Sequence, residues 1–178
     1  NTGRIYAHSL WKEGKLPTFQ LLVVLGALVR YRMGLIRLER LMKKWIEQSA
    51  GESESEAVDR CVKLAHEQVI PSIFTEARDA IDSHRDSADL VAILSASSSY
   101  IIHPVAKELH IDHVLATPLH VQNGVFTGGF DEPICYGEGK VEWAKRFCEQ
   151  HGFSVEDSVF YTDSFTDVPL LRRVGTPV

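Results

Sequence analysis

Few features of this sequence assign it at a glance, and what it lacks removes several classes of function. Its three cysteines, Cys61, Cys135 and Cys148, are an odd number and form no C-x-x-C pair, which favours a reduced, cytoplasmic setting. The formal net charge is −5, and the basic residues are spread along the chain with no basic block, so a nucleic-acid partner is not expected. The longest apolar run, Leu21–Val29, is interrupted by Gly26 and flanked by Gln20 and Arg30, far short of the about 20 residues that span a bilayer. Lys12 and Lys15 precede that run as in a signal peptide, but no A-x-A cleavage pattern comes after it, so a buried helix and no membrane partner are expected. The chain opens Asn1-Thr2-Gly3 without an initiator methionine, and a processed or trimmed start is expected.

What is present divides into two compositional halves. A chain of 178 residues with 44% hydrophobic and 24% charged residues suits one globular core with a modest insertion. Residues 16–85 read as helical. Leu35, Leu38 and Met42 share a face, with Ile36 and Leu41 beside them, at spacings of three and four. A second helix is expected from about Ser55 to Val69, with Val58, Cys61, Val62, Ala65 and Val69 on one side. Pro71 suggests a break before a short helix through Ile73, Phe74 and Ala77. From residue 86 the pattern changes. Leu90–Leu94 is a short, wholly apolar run, as in a strand buried on both faces. A helix over Ile101–Leu109, a strand over Ile111–Ala116, and a hairpin around Asn123-Gly124 come after it. Next are a helix over Gly139–His151 closed by Gly152, a strand over Ser158–Thr162, and a short helix over Asp167–Arg173. Alternation of this kind predicts an α/β fold with a doubly wound parallel sheet.

Ligands of open α/β sheets bind beyond the carboxyl ends of the strands, and polar clusters stand there. Ser95, Ala96, Ser97, Ser98 and Ser99 succeed the first strand. Their hydroxyls and backbone N–H groups suit an anion, or one serine simply caps the next helix. Tyr161-Thr162-Asp163-Ser164-Phe165-Thr166-Asp167 succeeds a later strand. Paired carboxylates suit a hard cation such as Mg²⁺; alternatively Asp167 or Thr166 caps the next helix and Asp163 is solvated. Lys140 opens a helix, where the dipole prefers anions; it faces a bound anion or leans into solvent. Together the three form a phosphate-plus-magnesium constellation. The histidines 103, 110, 113 and 120 fit no metal-ligand spacing, and neither a G-x-S-x-G elbow nor a Walker A loop occurs.

The stretches LVAILSASSSY, VQNGVFTGGF, GEGK and YTDSFTDVPLLRRVGTPV resemble, in order, the haloacid dehalogenase (HAD) superfamily, in particular its phosphoserine phosphatase-like branch (subfamily IB). The resemblance implies a HAD core with an inserted all-helical cap: residues 1–15 as a linker from a first core strand, 16–85 as the cap and 86–178 as the α/β core. It implies that Ser95 binds phosphate and that Lys140 holds phosphoryl group and nucleophile together. It further implies that Asp163 binds Mg²⁺ and that Asp167 supports the metal's water shell and the lysine. Ser95, Lys140 and Asp167 are thus the catalytic candidates, with Ala96 and Arg4 added for substrate and Asp163 and Asp167 for metal. The family's first motif, D-x-D-x-[TV], whose first aspartate attacks phosphorus to form an aspartyl-phosphate, does not occur in these residues. A fragment trimmed at both ends, without turnover by itself, is expected.

The expected function is therefore Mg²⁺-dependent hydrolysis of a small phosphorylated metabolite. Relatives specific for phosphoserine carry a glutamate soon after the first motif, whereas no acid occurs here before Glu13, which counts against phosphoserine. Arg4 is a candidate for a substrate anion or a surface arginine. A non-catalytic phospholigand- or partner-binding relative and a phosphotransferase of the same chemistry are the alternatives; the sequence leaves the oligomeric state open.

Overall fold

The computed structural model describes residues 38–178. The expected linker over 1–15, the helix through Leu21–Val29, and Arg4, Leu35 and Ile36 lie outside the described residues. The chain divides into two units: residues up to Phe74 with Leu119–Gly129, and Thr75–Pro118 with Phe130–Val178.

In the first unit, helix α1 spans Leu38–Gln48 and α2 spans Glu54–Leu64. The Ser53 hydroxyl caps α2 by accepting from the Glu56 N–H, and Glu54 and Glu56 place negative charge at the positive end of the helix dipole. Its buried side chains are Ala57, Cys61 and Leu64, continued by Ala65, at spacings of three and four. Val58 and Val62 are only half-buried, so the buried stripe is turned from the one the sequence suggests. A π turn over Ala65–Val69 and a 3₁₀ turn over Ile70–Ser72 carrying Pro71 continue the chain. Strands β3 (Leu119–Gln122) and β4 (Val125–Phe130) form the expected hairpin. Asn123 and Gly124 both take positive φ, 53° and 75°, the requirement of the two-residue turn that an Asn-Gly pair meets. The hairpin joins the start of α2: Gly51 N–H donates to Phe126 O at 2.8 Å and Glu54 N–H to Gly124 O at 3.0 Å.

The second unit is the α/β core. It begins with α3, Thr75–Asp86. Ile73 is extended and precedes this helix with Phe74, so the short helix expected through both starts only after them; the extended backbone after the Pro71 turn delays it. Strands β1 (Ala92–Leu94) and β2 (His113–Leu115) pair in parallel, with Leu94 opposite Leu115. Helix α4, Ser99–Glu108, connects them. Strands β5 (Val159–Phe160) and β6 (Thr176–Pro177) form a second parallel pair. Helix α5 spans Glu138–Gln150 and the one-turn α6 spans Val168–Leu171. Val141 and Cys148 of α5 pack with Val155 and Leu170, and Leu94 of β1 and Phe160 of β5 lie against that cluster. One helix therefore covers both parallel pairs, and apolar burial of this kind supplies the main stabilisation. The described residues contain no helix long and apolar enough to cross a membrane.

Candidate functional site

The carboxyl ends of β1 and β5 and the first turn of α5 carry the candidate residues Ser95, Asp163 and Asp167, and Lys140. Gly139, in that turn, leaves no room for a side chain, because a Cβ there would collide with the Ile134 carbonyl oxygen. This close approach seats the start of α5 against the Ile134–Cys135 backbone.

Lys140 is 6% exposed and its Nζ donates to Asp167 Oδ2 at 2.7 Å. Of its two sequence readings, the lysine leaning into solvent is excluded. It faces a carboxylate, which offsets the cost of a cation at a helix N-terminus. Asp167 is 3% exposed, and although it stands just before α6 its side chain makes no capping bond. Its Oδ2 also accepts from the Thr162 hydroxyl at 2.9 Å, and its Oδ1 is 3.4 Å from the Thr166 hydroxyl. Thr162 in turn accepts from the Ser164 N–H at 3.0 Å. Two donors on one oxygen fix the carboxylate's orientation. Phe160 adds a ring face 5.9 Å from the Lys140 ammonium.

Asp163 is exposed, and among the described residues its carboxylate has no hydrogen-bond or ion-pair partner. Mg²⁺ keeps several waters and takes one or two carboxylates. An unengaged Asp163 four residues before the fixed Asp167 meets that demand in its donor chemistry. No group of three or more His, Cys, Asp or Glu side chains among the described residues forms a closed metal cage.

Ser95 comes directly after β1. Its N–H continues the ladder to Leu115 O at 2.8 Å, and its hydroxyl accepts from the Ser97 N–H at 3.1 Å. The cap of α4 is Ser98, which accepts from the Tyr100 N–H at 3.3 Å, so capping does not account for Ser95. Ala96 is half-buried beside it.

Cys135 links the two clusters, and sequence reasoning gave it no part in the site. It is fully buried. Its N–H donates to the Thr117 hydroxyl at 2.8 Å, and its thiol contacts Leu115 O at 3.6 Å. Burial pushes the thiol up from 9.0 to about 12; Lys140 and the Ser95 backbone N–H favour the thiolate, and Asp167 opposes it. Cys135 is thus an inert buried thiol that feels the Ser95 backbone and the charges of Lys140 and Asp167. Only its place five residues before Lys140 hinted at this. Thr162, next to Asp163, has no role in the sequence reading either, nor have Phe160 and Thr117.

A model of the haloacid dehalogenase-like hydrolase family matches residues 1–172. A Mycobacterium tuberculosis protein named a "probable phosphatase" is 32% identical over 139 residues, covering 78% of this chain and 48% of that protein. The chain thus spans about half the length of that relative. A histidinol-phosphatase of Neisseria meningitidis is 27% identical over 152 residues, 83% of this chain and 68% of that one. Among solved structures, a protein of unknown function from Bordetella pertussis Tohama I superposes with a TM-score of 0.86 at 26% identity, covering 99% of this chain and 82% of that chain.

Proposed function

The chain belongs to the haloacid dehalogenase-like hydrolase family, and from that premise we propose that the protein is a Mg²⁺-dependent phosphatase acting on a small phosphorylated metabolite. The observation that carries this reading is the buried Lys140–Asp167 pair at 2.7 Å with an unengaged carboxylate, Asp163, on the same loop.

In this reading the Ser95 hydroxyl and the N–H of Ala96 donate to phosphoryl oxygens, and the Lys140 ammonium offsets the charge that develops on them. Asp167 holds Lys140 in one rotamer, and Thr162 holds Asp167. Asp163 and Asp167 would hold Mg²⁺, which when bound neutralises phosphoryl charge. A covalent route through an aspartyl-phosphate requires a D-x-D-x-[TV] aspartate from sequence outside these 178 residues, so these residues alone are expected to show no turnover. The helical residues, read as the cap, would govern which phosphomonoester is accepted; Arg4 stays a candidate for its anionic group. A second reading is a non-catalytic relative that binds a phosphorylated ligand through the same Ser95 and Lys140.

The test is hydrolysis of p-nitrophenyl phosphate by the whole protein. Activity that is abolished by EDTA, restored by MgCl₂ and reduced about 10²-fold or more by Asp163→Asn and by Lys140→Arg is expected. No Mg²⁺-dependent hydrolysis in the whole protein, with retained binding of inorganic phosphate, would leave the binding reading in its place.

A further inference from the structure

Outside the groups assigned above, three side chains of the second unit form a chain of their own. Helix α3 ends in a left-handed turn at Ala88, φ 60°. The Ala88 N–H donates to Arg85 O at 2.9 Å and the Asp89 N–H to His84 O at 3.0 Å, the paired closure of a Schellman motif. This turn folds Asp89 back over the helix, so that its Oδ2 lies 2.7 Å from His84 Nδ1. The far side of the same ring, Nε2, lies 3.0 Å from the Tyr161 hydroxyl, across 77 residues of sequence. The two rings meet edge to face, centroids 5.7 Å apart at 75°. The Asp89 carboxylate accepts from Nδ1–H, which leaves Nε2 to accept the tyrosine proton; the imidazolium form keeps both contacts, with the tyrosine oxygen accepting.

Tyr161 is the residue between two that serve the site. Phe160 reaches the Lys140 ammonium and Thr162 holds Asp167, while Tyr161 reaches His84. The strand end is thus held through three successive residues. Asp163 comes next and, among the described residues, has no partner of its own, so its carboxylate is placed by the backbone on either side of it.

We propose that His84, oriented by Asp89, is a positioning residue for the Tyr161–Asp167 segment: through the Tyr161 hydroxyl it sets the backbone that presents Asp163. The metal part of this inference rests on the proposed function; the mechanical part does not. The test uses the whole protein, isotope-labelled, with Tyr161→Phe, His84→Ala and His84→Gln, the last keeping a polar atom near the Nε2 position. In the wild type, long-range ¹⁵N–¹H spectra are expected to show the neutral His84 ring protonated at Nδ1. Tyr161→Phe, which removes one oxygen and no packing surface, is expected to speed amide exchange at Thr162, whose N–H is bonded to Val178 O, about 2- to 10-fold, the worth of one hydrogen bond. With MgCl₂ as probe, the half-saturating concentration read at the Asp163 amide is expected to rise about 10-fold in Tyr161→Phe and His84→Ala, as for lost supports of metal ligands, with partial recovery in His84→Gln. Unchanged Thr162 exchange in Tyr161→Phe overturns the proposal whatever the metal does. A Mg²⁺ response at Asp163 that is present in the wild type and unchanged in Tyr161→Phe and His84→Ala overturns it as well. A wild-type Asp163 amide indifferent to MgCl₂, with Thr162 exchange still accelerated, supports the mechanical proposal and removes the metal assignment of the proposed function.

Discussion

Cys135 shows what single residues contribute without taking part in chemistry. Its thiol is pushed to about 12 from 9.0, mainly by burial. Because the folded-state value is raised, its contribution to stability is complete below pH 9 and is lost as the pH rises toward 12, where the unfolded chain releases a proton that the native state retains. Cys61, pushed to about 11, acts in the same direction. The thermal midpoint is therefore expected to fall above pH 9, and Cys135→Ala, though less stable at pH 7, is expected to fall less steeply; equal slopes in the two proteins would remove Cys135 as a source. Lys140 and Asp167 carry a separate expectation. Lys140→Met leaves a carboxylate with a side chain only 4% exposed without its cation, a loss of about 3–5 kcal/mol, whereas replacing both partners with apolar residues is closer to neutral. Urea midpoints of the single variant and of Lys140→Met with Asp167→Leu decide this; a double variant no better than the single would mean the pair is not coupled. The sequence announced Lys140 as a cation at the wrong end of a helix, but its partner lies 27 residues on. Local pattern holds no information about such a distance, and the same applies to Thr162 and Cys135.

Among elements, those specified by short-range chemistry were legible. The Asn123-Gly124 turn and the glycine-closed α5 fall where turn residues put them, and the apolar runs LVAIL and SVFYT each hold a strand, shortened to Ala92–Leu94 and Val159–Phe160. Those decided by packing were not. The buried stripe of α2 runs through Ala57, Cys61 and Leu64 rather than through the valines. Small Ala57 and Ala65 permit close approach, and the π turn over Ala65–Val69 shifts the helical phase of the residues beyond it. Strand β1 is half-buried along its length, not buried on both faces, because an apolar run reports preference and not what covers it. The end of α3 is a further instance: nothing in Ser87-Ala88-Asp89 resembles a glycine cap, yet Ala88 adopts φ 60°. A Cβ in that conformation costs about 1–2 kcal/mol, partly returned because alanine is stiffer than glycine in the unfolded chain. Ala88→Gly is accordingly expected to stabilise the protein by about 0.5–1 kcal/mol, a rise of about 1–4 °C in thermal midpoint for a chain of this size. A lower midpoint would mean that the methyl group has packing value that the turn geometry does not reveal.

Across the whole molecule, chain order and spatial grouping differ at two places. A single cut near residue 85 is what composition suggests, but α3 belongs with the α/β unit and the β3–β4 hairpin with the helical one. The hairpin leaves and returns at one point, since the Asp131 N–H donates to Pro118 O at 3.0 Å, and Leu119–Gly129 fall between two stretches of the α/β unit. Its partners are instead the backbone around Glu52 and Ser53, with Phe126 buried to 4% exposure. Replacing residues 119–129 by two glycines should therefore disturb one unit and spare the other, and the three cysteines report on this directly. Cys61 belongs to the helical unit, while Cys135 and Cys148 belong to the α/β unit, and all three are buried free thiols. In the intact protein none is expected to react with iodoacetamide at pH 8 on the time scale of the unfolded chain. In the shortened protein Cys61 is expected to react while Cys135 and Cys148 remain protected, as read by peptide mass after timed labelling. Protection of all three would make the hairpin dispensable to both units. Simultaneous exposure of all three would mean that the two units unfold as one cooperative body, and that the hairpin, though read in the sequence as an ordinary part of the core, helps to hold both.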